Sequence, residues 1–115
     1  MPEGTGPGGT GEGDVVVHVT TPEAWAEARD RGEVVPPSLA TEGFVHCSTP
    51  AQVAATIARH LGGVPDLLLL HVAVAGIADL RWEAPPDRPD ERYPHVYGPI
   101  PLDAVVAAER WAGPA

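Results

Sequence analysis

Glu42-Gly-Phe-Val-His-Cys-Ser48, followed at once by Thr49-Pro50, is the stretch from which the rest of the chain can be placed. Read as a strand, its side chains alternate, so Phe44, His46 and Ser48 share one face and Val45 and Cys47 the other. Thr49-Pro50-Ala-Gln52 then supplies a helix cap, a proline at the first helical position and a glutamine three residues on, the pattern of a capping box. The helix so opened carries Val53, Ile57 and Leu61 on one stripe and is expected to stop at Gly62-Gly63. An imidazole and a hydroxyl two residues apart, at a strand end beside a helix N-terminus, suit chemistry better than packing.

The same arrangement occurs earlier. Asp14-Val-Val-Val-His-Val-Thr20 reads as a strand from its valines, and Thr21-Pro22 caps a helix running to about Arg31, with Gly32 as its stop. Trp25 and Ala28, three apart, anchor that helix to the core. His18-Val-Thr-Thr-Pro and His46-Cys-Ser-Thr-Pro thus echo each other: histidine, spacer, hydroxyl, capping threonine, proline. Thr21 and Thr49 are the caps, which leaves Thr20 and Ser48 to face a ligand beside their histidines. If the two strands are neighbours in one sheet, both helix N-termini can lie at one end and form an anion site there.

Glu33 to Ala40 reads as a loop. Leu67 to Ala75 is a nearly continuous apolar run, as expected of a strand covered on both faces. Asp79 to Glu83 is a short strand or turn, and Ala84 to Arg92 a charged, proline-rich surface loop. Pro94-His-Val-Tyr-Gly-Pro-Ile-Pro101 gives a short strand, His95 to Tyr97, then a rigid turn, and Asp103 to Trp111 a final strand. This order predicts an α+β fold with a small, bent or split β-sheet and two helices.

Composition bounds the rest. Residues 1–13 hold six glycines and two prolines and no large aliphatic residue after Met1, so a disordered tail is expected, followed by a single domain over residues 14–112. One cysteine excludes an internal disulfide framework and fits a reducing, cytoplasmic compartment. No basic segment followed by an apolar run marks a signal peptide, and the most apolar stretch, Val64 to Leu80, is too interrupted to cross a bilayer. Sixteen acidic residues stand against seven arginines and no lysine, a net charge of -9. That balance argues against long nucleic acid and anionic membranes but leaves a small nucleotide or metabolite open, since a small site can hold an anion with backbone N–H groups.

His18-x-Thr20, the Trp25 helix, Pro37-Ser38-Leu39, the Glu42–Ser48 block, Gln52, Asp66-Leu-Leu-Leu-Leu70 and Pro94-His-Val-Tyr-Gly-Pro-Ile-Pro-Leu-Asp-Ala-Val-Val106 together resemble the bacterial "domain of unknown function 952" family, from about Val15 to Val106. That family is regarded as distantly similar to the ADP-ribosyltransferase fold. The resemblance implies such a fold, with NAD as the cofactor or ligand to test first and ADP-ribosyl or phosphoribosyl transfer as the chemistry. In that comparison His18 and Thr20 match a first strand motif, and Phe44-Val-His46-Cys-Ser48 a second. His95 stands where a late glutamate is usual, with Val96-Tyr97 after it. This departure from the glutamate pattern argues against protein mono-ADP-ribosylation.

The candidate catalytic residues are therefore His18, His46 and His95, expected to converge on one cleft, with Thr20, Ser48, Phe44, Tyr97 and Glu42 as ligand-binding residues. Each has an ordinary alternative. The histidines could be sheet-surface or turn residues, Thr20 and Ser48 helix-entry residues, Tyr97 a half-buried tyrosine, and Glu42 the polar edge of a loop. Cys47, pointing opposite His46, reads as a small core residue. His60 reads as a cation at a helix C-terminus, and Arg92 as a solvated loop charge. Two other chemistries fit the same residues. A pair of His-x-[Ser/Thr] units also characterises two-histidine phosphoesterases acting on cyclic phosphates, although 28 residues is a short spacing for them. Three histidines would give zinc three ligands and an open position, but no His-x-x-x-His or Cys-x-x-Cys pair supports this, and no metal is expected. A metabolite-binding module without turnover is the remaining alternative.

Overall fold

The structure is a computed structural model that describes residues 14–113, so the tail expected over residues 1–13 lies outside the described residues. Strand β1 (Val15–Thr20) pairs antiparallel with β4 (Leu68–Ala73), which pairs antiparallel with β8 (Val105–Arg110). A second antiparallel group sets β6 (Tyr93–Val96) between β3 (Val45–His46) and β5 (Leu80–Glu83), and a two-stranded ribbon joins β2 (Glu33–Val34) to β7 (Ile100–Pro101). Three helices accompany them among the described residues: α1 (Pro22–Arg31), α2 (Pro37–Thr41) and α3 (Val53–His60).

The two larger groups are halves of one split sheet. Just past β3, Ser48 and Val17 exchange both backbone bonds, N–H to O, at 2.8 and 2.7 Å. This single antiparallel bridge gives the order β8-β4-β1-β3-β6-β5, bent at the junction. The main core fills the bend. Val16, Leu70 and Val72 from one half meet Val45, Cys47 and Val96 from the other, closed by Ala28 of α1 and by Val34 and Ile100 of the ribbon. On the far face of β1 and β4, Val53 and Ile57 of α3 pack with Val17, Leu67 and Leu69, so β4 is covered on both sides as its apolar run requires.

The helix signals hold in detail. Thr21 Oγ1 accepts the Ala24 N–H at 3.1 Å, and Gly32, at φ +97°, closes α1 by donating to the Ala28 carbonyl. Thr49 and Gln52 form the reciprocal capping box, at 3.2 and 2.9 Å. The turn they open, Pro50–Gln52, is a 3-10 turn, and the α-helix proper begins at Val53 and ends at His60, before the glycines. Two local expectations are corrected. The stretch read as a Glu33–Ala40 loop instead forms β2 and most of α2, which runs on to Thr41, because Pro36 and Pro37 preset the φ of a helix entry as readily as that of a loop. Regular pairing in the central strand covers only Val45–His46, because the chain turns from β6 toward β1 at Ser48.

Candidate functional site

The outward face of β3-β6-β5 collects the polar and aromatic residues that strand parity leaves on it. Gly43, at φ +90°, reverses the chain between α2 and β3. Glu42 thereby comes back over His46, whose Nε2–H donates to both carboxylate oxygens at 3.1 and 3.2 Å. His95 lies opposite His46 across the antiparallel pair. Their ring centres are 5.4 Å apart with the planes nearly perpendicular, at 80°. Phe44 stacks on His95 at 4.1 Å and meets His46 edge-on at 4.8 Å and Tyr97 at 5.3 Å. Four rings thus form one continuous wall.

Glu83, from β5, organises this wall although the sequence reading did not single it out. Its Oε1 accepts the Nδ1–H of His95 and the hydroxyl of Tyr97, both at 2.7 Å. The Tyr97 bond first, then that of His95, holds the Glu83 carboxyl below its ordinary value; the same bond to Glu83 raises the Tyr97 phenol, which stays protonated as donor. Arg81, two residues before Glu83 on the same face, lies 4.0 Å over the Tyr97 ring and grips Asp79 through two 3.0 Å bonds. The available signal was the alternation in Leu80-Arg-Trp-Glu83: Leu80 and Trp82 pack against the core, so Arg81 and Glu83 point outward.

The histidines differ in access. The His46 side chain is 54% exposed and that of His95 14%. A carboxylate can only accept here, so His46 carries its proton on Nε2 and His95 on Nδ1. That leaves one lone pair on each, His46 Nδ1 and His95 Nε2, without a protein partner among the described residues.

His18 is elsewhere, which corrects the convergence of three rings. It is 6% exposed, on the core side of β1, and its Nδ1–H donates to the His46 main-chain carbonyl at 2.8 Å. The reason is topological. β1 and the Ser48 segment are neighbours as expected, but antiparallel, so the strands enter their helices at opposite ends. Thr20 stays with His18 and lines a cleft beside α1. Ser48 is 2% exposed, with its hydroxyl 3.1 Å from that of Thr56 on α3, so it joins neither histidine. Glu42, Phe44, His46, His95 and Tyr97 are brought together; His18, Thr20 and Ser48 are not among them.

Cys47 lies in the core, and burial pushes its thiol up to about 12. His60 ends α3, and Arg92 is an exposed loop residue whose carbonyl accepts from Gln52 Nε2. Among the described residues no group of three or more histidine, cysteine or acidic side chains is arranged to hold a metal ion, and no helix is long and apolar enough to cross a membrane.

These features define a small α+β domain with several antiparallel sheets and few helices, carrying two histidine–carboxylate pairs on one sheet face. The chain belongs to the family described as "Protein of unknown function (DUF952)", whose model matches residues 19–108. Its fold is similar to that of the protein CC0527 from Caulobacter crescentus. In a crystal structure of CC0527 the identity is 28%, with 84% of each chain covered and a TM-score of 0.74. Against its solution NMR structure the figures are 27% identity, 82% of this chain and 81% of that one, and a TM-score of 0.70. No curated protein matches the chain.

Proposed function

We propose that the ring wall of Phe44, His46, His95 and Tyr97 binds a nucleoside-bearing small molecule, and that His95 is the acid–base group acting on it. One observation carries this reading: the Tyr97–Glu83–His95 chain, in which a carboxylate fixes one imidazole tautomer and leaves Nε2 free. A ring held in this way is oriented before any ligand arrives, and the carboxylate stabilises the imidazolium formed when Nε2 takes a proton. Imidazole exchanges protons near neutral pH, so the same atom returns the proton to a leaving group. The aromatic wall suits a base or ribose face, and the Glu42 and Glu83 carboxylates suit ribose hydroxyls.

The fit to NAD is divided. Its nucleoside portions match this set of residues, whereas its diphosphate would meet one cation in the cluster, Arg81, already paired with Asp79 through two bonds. Asp79 occupies only the Nε–Nη2 edge of that guanidinium, so a single cation edge remains for two phosphates, and the ligand proposed is the nucleoside-bearing class, with NAD one member to test. The two-histidine phosphoesterase arrangement needs both His-x-hydroxyl units on one phosphate, and His18 and Ser48 lie away from the wall.

The test is an NMR titration of the full chain with adenosine, ADP-ribose, NAD and a 2′,3′-cyclic nucleotide, together with analysis of products. Shifts are expected in the His46 and His95 ring signals for at least one of these. Glu83→Gln is expected to abolish product formation while leaving the melting temperature within a few degrees. If none of the four compounds moves these signals at millimolar concentration, the reading fails. Binding without any product would reduce it to a binding module.

A further inference from the structure

We infer that the cleft between α1 and the end of β1 is a second small-molecule site, taking a flat, uncharged ring compound that donates one N–H or O–H bond to His18 Nε2. This site is separate from the ring wall and does not depend on the function proposed for it.

The cleft holds about 340 Å³, and its walls are mostly apolar: Trp25 and Ala24 of α1, Val34 of the ribbon, and Leu61, Leu67 and Leu70 beneath. That volume lies at the lower end of small-ligand pockets, enough for a bicyclic ring. Thr20, Thr21, Glu27 and Arg31 are the other polar residues of the lining.

His18 makes this more than an apolar crevice. Its Nδ1 must carry the proton, because its partner is a carbonyl, so Nε2 holds a lone pair and has no protein partner among the described residues. No histidine nitrogen there is both fully enclosed and unpartnered, so Nε2 touches solvent although the residue is 94% buried by its 6% exposure. The opening that His18 lines is this cleft. An acceptor this enclosed, on a residue that lines an apolar cavity, has water alone as its partner until a ligand donor replaces it. Burial, opposed in part by the His46 carbonyl, holds the imidazole below its ordinary value, so the group offered is a neutral acceptor. A neutral acceptor between a tryptophan and leucines, with one acidic and one basic residue, Glu27 and Arg31, in the lining, favours an uncharged donor over an anion.

The experiment uses the full chain and two probes of one shape, indole with its N–H and indene without it. Indole is expected to shift the signals of Trp25, His18 and Leu61 and to bind about tenfold more tightly than indene, the value of one satisfied bond. His18→Asn keeps an amide donor for the His46 carbonyl and removes the Nε2 acceptor, so the ratio should fall to near one. Ala24→Leu fills the cleft from the helix side, leaves His18 untouched and should weaken both probes, which keeps the test decisive should the asparagine variant not fold. His95→Ala should leave indole affinity unchanged, separating this site from the ring wall. Equal affinity for indole and indene, or shifts away from the cleft, would overturn the inference.

Discussion

Replacing His18 tests the fold and the topology together, since this side chain spans the place where the sheet splits. Backbone pairing between β1 and the β3 segment is limited to Val17 and Ser48, and the His18 ring supplies the next link by donating to the His46 carbonyl at 2.8 Å. In His18→Ala the carbonyl loses its donor, at a cost of about 1–3 kcal/mol. The lost ring leaves a void that opens into the cleft, adding about 1 kcal/mol, the low end for large-to-small changes because water can enter. The sum, about 2–4 kcal/mol, lowers the melting temperature by on the order of 10–20 °C for a domain this size. His18→Asn, with its amide in place of Nδ1–H, should recover more than half of that. His46→Ala keeps the carbonyl, and its ring is largely exposed, so it should cost little.

The same residue sets a pH dependence. Burial holds folded His18 below the 6.5 of the unfolded chain. Below that pH the unfolded chain binds a proton that the folded one refuses, so stability falls as pH falls from 6.5 toward the lower folded value. Above 6.5 the contribution is fully present. The loss approaches about 1.4 kcal/mol per pH unit at its steepest, and urea unfolding at pH 7.5 and 5.5 measures it. The asparagine variant should lose less stability over that interval than the wild type. Equal stability of the alanine and wild-type chains, or an undiminished acid loss in His18→Asn, would refute the account of His18 as a neutral link between half-sheets.

Two further outcomes follow from packing. With its thiol pushed up to about 12 and enclosed in the core, Cys47 should resist iodoacetamide at pH 8 in the native chain and react fully in urea, which mass spectrometry reads directly. At Gly76 an added Cβ would stand 2.8 Å from the Ala104 Cβ and 3.3 Å from its Cα, where the turns Val74–Gly76 and Leu102–Ala104 touch; Gly76→Ala should cost about 1–3 kcal/mol, and Ala104→Gly in the same chain should restore part of it in a denaturation series.

What was legible in the sequence was local. Thr21-Pro22, Gly32 and Thr49-Pro50-Ala-Gln52 fix their helix ends through bonds within four residues of one another, so neighbours in sequence were enough. Alternation was equally reliable wherever a strand stayed regular: Phe44 with His46, and His95 with Tyr97, share a face as parity requires. At Ser48 parity still held, since it pairs with Val17 on the face opposite Cys47, but α3 covers that face there and Thr56 takes the hydroxyl. Glu83 was missed for a related reason. A short strand after a turn carries too few residues to reveal its partner, and the importance of Glu83 comes from what β6 sets beside it.

The direction of strand pairing, which no local pattern carries, decides how the candidate residues divide. Had the His18 and His46 strands run parallel, both His-x-hydroxyl units would have reached the same sheet edge and both helices would have begun there. Running antiparallel, they share only the main chain at Val17 and Ser48. His46 is then used twice. Its side chain, paired with Glu42, belongs to the ring wall, while its carbonyl fixes the proton of His18, a residue that lines the cleft, on Nδ1. The wall and the cleft are therefore linked through one residue's backbone, the His18–His46 bond. A displacement of β3 that a ligand caused at the wall would reach the cleft as a change in the His18–His46 bond. A ligand at the wall should therefore alter the His18 ring signals more than those of any other cleft residue.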